Sequence, residues 1–90
     1  MPKVNFTSAL KRFYPDLDQQ LVEGKTVAEL LNTLENRYPG LKDYLVDERG
    51  QLRQHVNIYI GDQLIEDTET LKDQVKEMDE ILIFQALSGG

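Results

Sequence analysis

Residues 26–40 read Thr-Val-Ala-Glu-Leu-Leu-Asn-Thr-Leu-Glu-Asn-Arg-Tyr-Pro-Gly and decide the fold, because they predict its one long helix. Thr26 and Glu29 have the spacing of a capping box, in which each side chain accepts a hydrogen bond at the start of a helix. Pro39-Gly40 ends the pattern, so we predict an amphipathic helix from Thr26 to about Tyr38. The apolar side chains that recur at the spacing of one helical face are Val27, Leu30, Leu31, Leu34 and Tyr38.

Segments with strand character lie on both sides of this helix. They are residues 3–8 and 17–23 before it, and residues 56–60, 63–65 and 81–87 after it. Because the helix separates the first strand from the last, these two strands can pair in parallel at the centre of a mixed sheet, with the helix on one face. We therefore predict an α+β, β-grasp domain over residues 1–87, with four or five strands and one main helix.

The last strand leads into Ser88-Gly89-Gly90, which we predict to be a flexible tail of residues 88–90. Because Gly89 and Gly90 have no Cβ, the tail can enter a slot that is too narrow for a side chain. It presents the α-carboxylate of Gly90 on a thin stalk, which suits a protein whose reactive group is its C-terminus. The competing explanation is an ordinary frayed chain end.

The composition excludes several classes of function. The 90 residues carry a formal net charge of −6, which argues against nucleic acid binding because a phosphate backbone requires a basic face. No apolar run approaches the ~20 residues of a membrane span, and residues 1–6 lack the layout of a signal peptide. Cysteine is absent, so the chain has no thiol nucleophile. We therefore expect a cytoplasmic protein.

No catalytic or metal site is predicted. His55 is the single histidine and has no cysteine to pair with, and the neighbouring carboxylates lack the spacing of a calcium loop. The chain also has no glycine-rich phosphate loop, so activation of the Gly90 carboxylate must come from another protein. We predict a protein that partner enzymes act on, rather than an enzyme.

Four segments, taken in order, resemble the MoaD/ThiS family of ubiquitin-like sulfur carriers: residues 26–31, 34–40, 55–62 and 79–90. The first two open and close the helix as in that family. The third is similar to the third strand and turn of the cysteine-forming subgroup. The fourth is similar to the family's C-terminal signature, and its Phe84-Gln85-Ala86 resembles the thiamine branch. Ser88 departs from the pattern, because family members often have alanine there.

The resemblance implies a mechanism and a set of partners. An E1-like adenylyltransferase adenylates Gly90 with ATP, a sulfur donor converts the acyl-adenylate to a thiocarboxylate, and a biosynthetic synthase uses that sulfur. The ATP belongs to the partner enzyme, so no cofactor, metal or membrane partner is implied for this chain. The sequence leaves open whether a protease removes encoded residues after Gly90. It also leaves open the acceptor: cysteine, homocysteine, thiazole, the molybdenum cofactor or a siderophore thioacid.

The resemblance also implies a partner-binding surface beside the tail. It places Leu82 and Phe84 on the open face of the sheet, away from the helix. Tyr59 alternates with inward-facing neighbours on the third strand and so shares that face. We predict that Tyr59, Leu82 and Phe84, here called the open-face patch, bind a partner together with Leu87, although isolated exposed apolar residues are normal on any surface. The residues predicted to be buried together are Val4, Phe6, Leu30, Leu34, Ile58, Ile81 and Ile83.

Two other interpretations remain open. A ubiquitin-like modifier would form the same acyl-adenylate and then join Gly90 to a lysine amine of another protein, and a family member can do both. A β-grasp interaction domain would have an inert tail, so deleting Gly90 would not affect its function.

Overall fold

The strands form one mixed five-stranded sheet in the order β2-β1-β5-β3-β4. The structure, a computed structural model, describes residues 1–85, and of residues 8 and 9 it describes the backbone only. The elements are β1 (Lys3–Phe6), α1 (Ser8–Lys11), β2 (Gln20–Leu21), α2 (Val27–Arg37), α3 (Leu41–Leu45), β3 (Val56–Ile60), β4 (Gln63–Leu64) and β5 (Glu80–Gln85). β1 and β5 pair in parallel at the centre, and the other pairs are antiparallel. The predicted β-grasp fold is confirmed.

The helix predicted from the sequence forms with its cap. Thr26 is the N-cap of α2, and its side chain accepts a hydrogen bond from the Glu29 backbone N–H at 3.2 Å. In a capping box the Glu29 carboxylate would accept from the Thr26 N–H. Here it accepts instead from the N–H of the preceding residue, Lys25, at 3.3 Å. The buried side chains of α2 are the predicted apolar positions Val27, Leu30, Leu31 and Leu34.

One hydrophobic core lies between α2 and the covered face of the sheet. All seven residues predicted to be buried together belong to it, and none is more than 8% exposed. Burial alternates along β5, where Ile81 and Ile83 are each 1% exposed while Leu82 between them is half-buried. The register of the last strand is therefore the predicted one, since a slip of one residue would exchange its two faces.

The first connection differs from the sequence prediction. Residues 8–11 form the short helix α1 instead of continuing the strand, and only two residues of the segment 17–23 form strand β2. Hydrogen bonds from Arg37 hold this segment where further strand pairing is absent. Its guanidinium donates to the Leu21 carbonyl at 2.8 Å and to the Gln20 side-chain oxygen at 2.9 Å. These side-chain hydrogen bonds join residues that are separated by 16 and 17 positions in the sequence, so no local sequence pattern predicts them.

Glu35 holds the corner between α2 and α3. Its carboxylate accepts from the backbone N–H groups of Gly40 and Lys42, both at 2.8 Å. Gly40 precedes α3 with a left-handed φ of 92° and has no side chain to cap that helix. The bonds from Gly40 and then Lys42 hold the pKa of Glu35 below its ordinary value. The ionised form is therefore the one that the fold stabilises.

We expect Glu35→Gln to lower the stability of the domain at neutral pH, because an amide is a weaker acceptor and brings a competing donor to the same place. A lowered folded pKa gives stability that is complete above the unfolded pKa of about 4.3 and is lost as pH falls through the folded pKa. The difference between the wild type and the variant should therefore shrink on acidification. Urea unfolding from pH 7 to pH 3 measures it.

Glu48→Gln is the matched control for this prediction. Glu48 is exposed, and its carboxylate makes no hydrogen bond or ion pair within residues 1–85. The Glu48→Gln variant should therefore have nearly the wild-type stability at both pH 7 and pH 3. A Glu35→Gln difference that stays constant with pH would show that the carboxylate does not act through its charge.

Candidate functional site

The open face of the sheet carries one apolar row that crosses three strands. Leu82 of β5 lies directly opposite Tyr59 of β3, and Tyr59 lies opposite Leu64 of β4. Directly opposite side chains have Cβ atoms about 4.5–5.5 Å apart, so these three form a continuous surface. Asn5 of β1 lies on the other side of Leu82 and ends the row.

Phe84 adds the second row of this face. It lies two residues after Leu82 on β5, opposite Asn57, and is 39% exposed. Its diagonal distance from Tyr59 is within the reach of an aromatic side chain. The structure therefore brings the three residues of the open-face patch together on the predicted face, whereas their role in binding a partner stays a prediction.

Leu64 is a member of this surface that the sequence did not single out. It is 53% exposed and continues the row from Tyr59 to the outer edge of the sheet. The available signal was the alternation after the Gly61-Asp62 turn, because a residue next to buried Ile65 must face the other way. Strand β4 has two residues, too few for periodicity alone to assign the face.

The direction of β5 decides where the chain leaves the sheet. Because β5 runs parallel to β1, the carboxyl ends of both strands lie at the same end of the sheet. The Thr7 N–H donates to the Ile83 carbonyl at 3.3 Å, which places the start of α1 beside the end of β5. Gln85 is the last described residue, so the predicted site residues Leu87, Gly89 and Gly90 lie outside the described part of the chain.

The carboxylates of the 66–73 loop have structural roles. Asp67 accepts from the Thr70 hydroxyl and from the backbone N–H groups of Thr70, Glu69 and Lys72, and these bonds, led by the Thr70 hydroxyl, hold its pKa well below the usual range. Asp73 accepts from the N–H groups of Glu66 and Asp67 at 3.0 and 2.8 Å. Each carboxylate closes a turn, which explains the acidic spacing without catalysis.

Other kinds of site are not found in residues 1–85. That region holds no group of three or more histidine, cysteine or acidic side chains arranged to bind a metal. His55 is exposed and lies in the turn that precedes β3. None of the described helices is long and apolar enough to cross a membrane.

Comparison with known proteins gives the family. The model of the ThiS family matches residues 4–90, nearly the whole chain. The chain belongs to the ThiS family. The sulfur carrier protein CysO of Mycobacterium tuberculosis is 30% identical over 69 residues, which cover 74% of each protein. Sulfur carriers of this family are substrates that carry sulfur, not catalysts.

Solved structures agree with the family assignment. A chain of the Amycolatopsis orientalis BexX/CysO complex superposes with a TM-score of 0.85 at 28% identity, and the match covers 100% of both chains. The small archaeal modifier protein 1 (SAMP1) of Methanosarcina acetivorans gives a TM-score of 0.79 at 27% identity, covering 99% of this ThiS-family chain and 95% of the other. The neighbours of the chain therefore include both sulfur carriers and ubiquitin-like modifiers.

Because Ile83 and Phe84 lie on opposite faces of β5, we expect their replacement to lower stability by unequal amounts. Ile83→Ala removes a side chain that is 1% exposed and leaves a cavity, so it should cost about 2–5 kcal/mol. Phe84→Ala acts on the open face and should cost about 1 kcal/mol. Urea unfolding with unchanged m-values measures both. Equal losses would place Phe84 in the core.

Proposed function

We propose that this protein is a sulfur carrier whose Gly90 carboxylate is adenylated by an E1-like enzyme and then converted to a thiocarboxylate. The observation that carries this proposal is the extent of the family match, which runs to Gly90 and so includes the Ser88-Gly89-Gly90 ending. The 30% identity to the sulfur carrier CysO supports it.

The chemistry explains why a second protein is needed. A free α-carboxyl group has a pKa of about 3.3–3.7, so at neutral pH it is ionised and a poor electrophile. An oxygen of the carboxylate attacks the α-phosphorus of ATP and releases pyrophosphate. Hydrosulfide from the sulfur donor then attacks the carbonyl carbon, and AMP leaves with the carboxylate oxygen that joined it to the carbonyl, so the product is the thiocarboxylate and no oxidant or reductant is needed. The E1-like enzyme supplies ATP, metal and the groups that stabilise the oxyanion.

Ordering the tail on an enzyme costs conformational entropy, which apolar contacts of the domain must offset. Ordering residues 88–90 costs on the order of 3–6 kcal/mol, because fixing each backbone costs about 1–2 kcal/mol and glycine loses more than most residues. Burying a Leu or Phe side chain contributes ~1.5–3 kcal/mol. We infer that the open-face patch, with Leu87 beside the tail, provides this contribution against the E1-like enzyme. Two or three such anchors roughly cancel the cost of ordering the tail.

The remaining partners follow from the same mechanism. A sulfur donor acts at the acyl-adenylate, and a biosynthetic synthase consumes the thiocarboxylate. The chain itself binds no cofactor in this scheme, and the reaction takes place in the cytoplasm, where ATP is available. A processing protease is required only if the gene encodes residues after Gly90.

Conjugation to lysine is the second candidate function, and the likeness to SAMP1 favours it. That protein is named a small archaeal modifier, and it matches this chain at 27% identity with a TM-score of 0.79. A modifier would use the same acyl-adenylate and then form an amide between Gly90 and a lysine amine. The two functions differ only in the nucleophile that attacks the activated carbonyl.

Phe84→Ala should weaken binding of the E1-like enzyme. A phenylalanine side chain has roughly 200 Å² of surface, and 39% of Phe84 is exposed, so covering this exposed part contributes ~2 kcal/mol. The expected loss of affinity is about 30-fold. Isothermal titration with the folded proteins measures it. Phe13→Ala is the control, since Phe13 is 56% exposed but lies off the open face, stacked on Tyr44; equal losses for both variants would remove the case for the patch.

Gly90 should carry the sulfur. After incubation with the E1-like enzyme, ATP and a sulfide source, intact mass spectrometry should show one oxygen replaced by one sulfur, and fragmentation should place it on Gly90. Deleting Gly90 should abolish the change, and Gly89→Leu should suppress it because a side chain must then enter the slot that holds the tail. Sulfur at another position, or full turnover without Gly90, would refute the proposal. Lysine-linked adducts without any thiocarboxylate would favour the modifier.

A further inference from the structure

One buried hydroxyl of this chain has no hydrogen-bond partner. Among the side chains that the structure describes, the Oγ1 atom of Thr7 is the one buried nitrogen or oxygen without a partner. A buried hydroxyl usually finds one, because otherwise it loses its bonds to water without replacement. The free domain therefore leaves one buried donor unused at this position.

The short helix α1 does not explain this hydroxyl. Thr7 is the N-cap of α1 and has an extended backbone, with φ −88° and ψ 166°, yet its side chain makes no capping hydrogen bond. Thr26 is also an N-cap with an extended backbone, and its hydroxyl oxygen accepts from the Glu29 N–H at 3.2 Å. The two threonines hold equivalent positions at the start of a helix, but only Thr26 caps its helix.

Thr7 lies beside the end of β5. Its backbone N–H donates to the Ile83 carbonyl at 3.3 Å, one residue after the pairing of Phe6 with Ile83, so Thr7 is level with Phe84. Val4 and Phe6 are buried in the core and alternate with residues on the open face. Because the backbone of Thr7 is still extended, its side chain continues the open-face series.

The ladder between β1 and β5 ends one carbonyl before the tail begins. The carbonyls of Asp79 and Ile83 accept from the N–H groups of Lys3 and Thr7. Alternate residues of a strand turn their backbone groups toward the same neighbour, so the Gln85 carbonyl also points toward β1. Its donor in the ladder would be residue 9, which belongs to α1. The strand pairing therefore supplies no N–H for the last carbonyl of β5.

We propose that Thr7 is a positioning residue whose hydroxyl donates to the Gln85 carbonyl when an E1-like enzyme draws out the tail. This inference rests on the proposed function, because that function supplies the enzyme. Gln85 lies one residue, ~3.3 Å, beyond the level of Thr7, and neighbouring strands are about 4.8 Å apart, so the hydroxyl is within reach. The bond sets the direction in which the chain leaves β5.

The direction of exit matters because the tail is short. Gly90 lies five residues beyond Gln85, which is at most roughly 17 Å of extended chain. Adenylation requires a carboxylate oxygen of Gly90 to lie about 3–3.5 Å from the α-phosphorus of ATP. Fixing the Gln85 carbonyl removes part of the freedom that the tail must lose in the enzyme. Loss of the Thr7 hydroxyl should therefore slow adenylation without weakening the binding of the domain.

The first experiment uses the carrier alone and tests whether the hydroxyl is unpaired. Thr7→Val replaces the hydroxyl by a methyl group of similar shape, so the urea midpoint should stay unchanged or rise. Thr33→Val is the matched control, because the Thr33 hydroxyl donates to the Glu23 carbonyl at 2.9 Å, and its loss should lower the midpoint. An equal fall for both variants would show that the Thr7 hydroxyl is satisfied in the free domain and would overturn the inference.

The second experiment tests the positioning role. Its probe is the E1-like enzyme purified from the source organism by its carrier-dependent ATP–pyrophosphate exchange. Thr7→Val should lower kcat for exchange about fivefold, the typical effect of one hydrogen bond, with KM for the carrier within about twofold of the wild type. Thr7→Ser keeps the hydroxyl and should keep kcat within about twofold, as should Thr33→Val. An unchanged kcat for Thr7→Val, or an equal loss in Thr7→Ser, would overturn the inference.

Stability and rate should rank the two Thr7 variants in opposite orders. Thr7→Ser removes a methyl group from a half-buried side chain, so it should have the lower urea midpoint and the higher kcat. Thr7→Val should have the higher midpoint and the lower kcat. A purely structural role of Thr7 would lower midpoint and kcat together, and that result would contradict the proposal.

The third experiment observes the hydrogen bond. The chain contains one Gln-Ala step, at residues 85–86, and one Ile-Phe step, at residues 83–84, so paired carbonyl-carbon and amide-nitrogen labelling isolates each carbonyl in an NMR spectrum. In the complex with the enzyme, the Gln85 carbonyl shift should differ between the wild type and Thr7→Val. The Ile83 shift should not differ, because its donor is a backbone N–H. Identical Gln85 shifts in both proteins would overturn the inference.

The wild-type exchange reaction separates failure of this inference from failure of the proposed function. Exchange reports the acyl-adenylate, so it does not depend on whether sulfur or a lysine amine attacks next. If the wild type supports exchange and Thr7→Val equals it, this inference alone fails. If the wild type supports no exchange, the proposed function fails and this inference fails with it.

Discussion

The parallel pairing of β1 with β5 is the constraint on which the rest of the structure depends. Two parallel neighbours cannot be joined by a hairpin, so the chain between them must cross one face of the sheet, and α2 makes that crossing. Once α2 covers this face, Ile81 and Ile83 must turn toward it, and Leu82 and Phe84 are left on the other side. The same pairing brings the end of β5 to the end of the sheet where α1 begins.

This arrangement separates stability from recognition along a single strand. The inward residues of β5 belong to the core, and the outward residues form the surface that we assign to a partner. Alternate residues can therefore serve different purposes without compromise, because successive side chains of a strand point to opposite faces. In the proposed function, the chemistry then depends on how the last residues of the chain are presented to an enzyme.

The relatives of this chain show how one domain can serve two chemistries. CysO is named a sulfur carrier and SAMP1 a modifier, yet the fold of this chain matches CysO of Mycobacterium tuberculosis with a TM-score of 0.84 and SAMP1 of Methanosarcina acetivorans with 0.79. In the proposed function, an activated C-terminal carbonyl accepts a sulfur nucleophile or an amine, so the domain need not select the product. Selection must come from the partner enzyme, which decides the nucleophile that reaches the carbonyl.

The sequence by itself determined the elements whose signal is local. The spacing of Val27, Leu30 and Leu34 predicted α2, and the alternation of residues 56–60 and 81–87 predicted strands β3 and β5, because helical and strand periodicity require no knowledge of the partner. The tertiary structure alone decided that Leu64 joins Tyr59 and Leu82, that Arg37 completes the short strand β2, and that Glu35 caps α3. These contacts join residues distant in sequence or on strands too short to show a period, and only the packed sheet and helices bring them together.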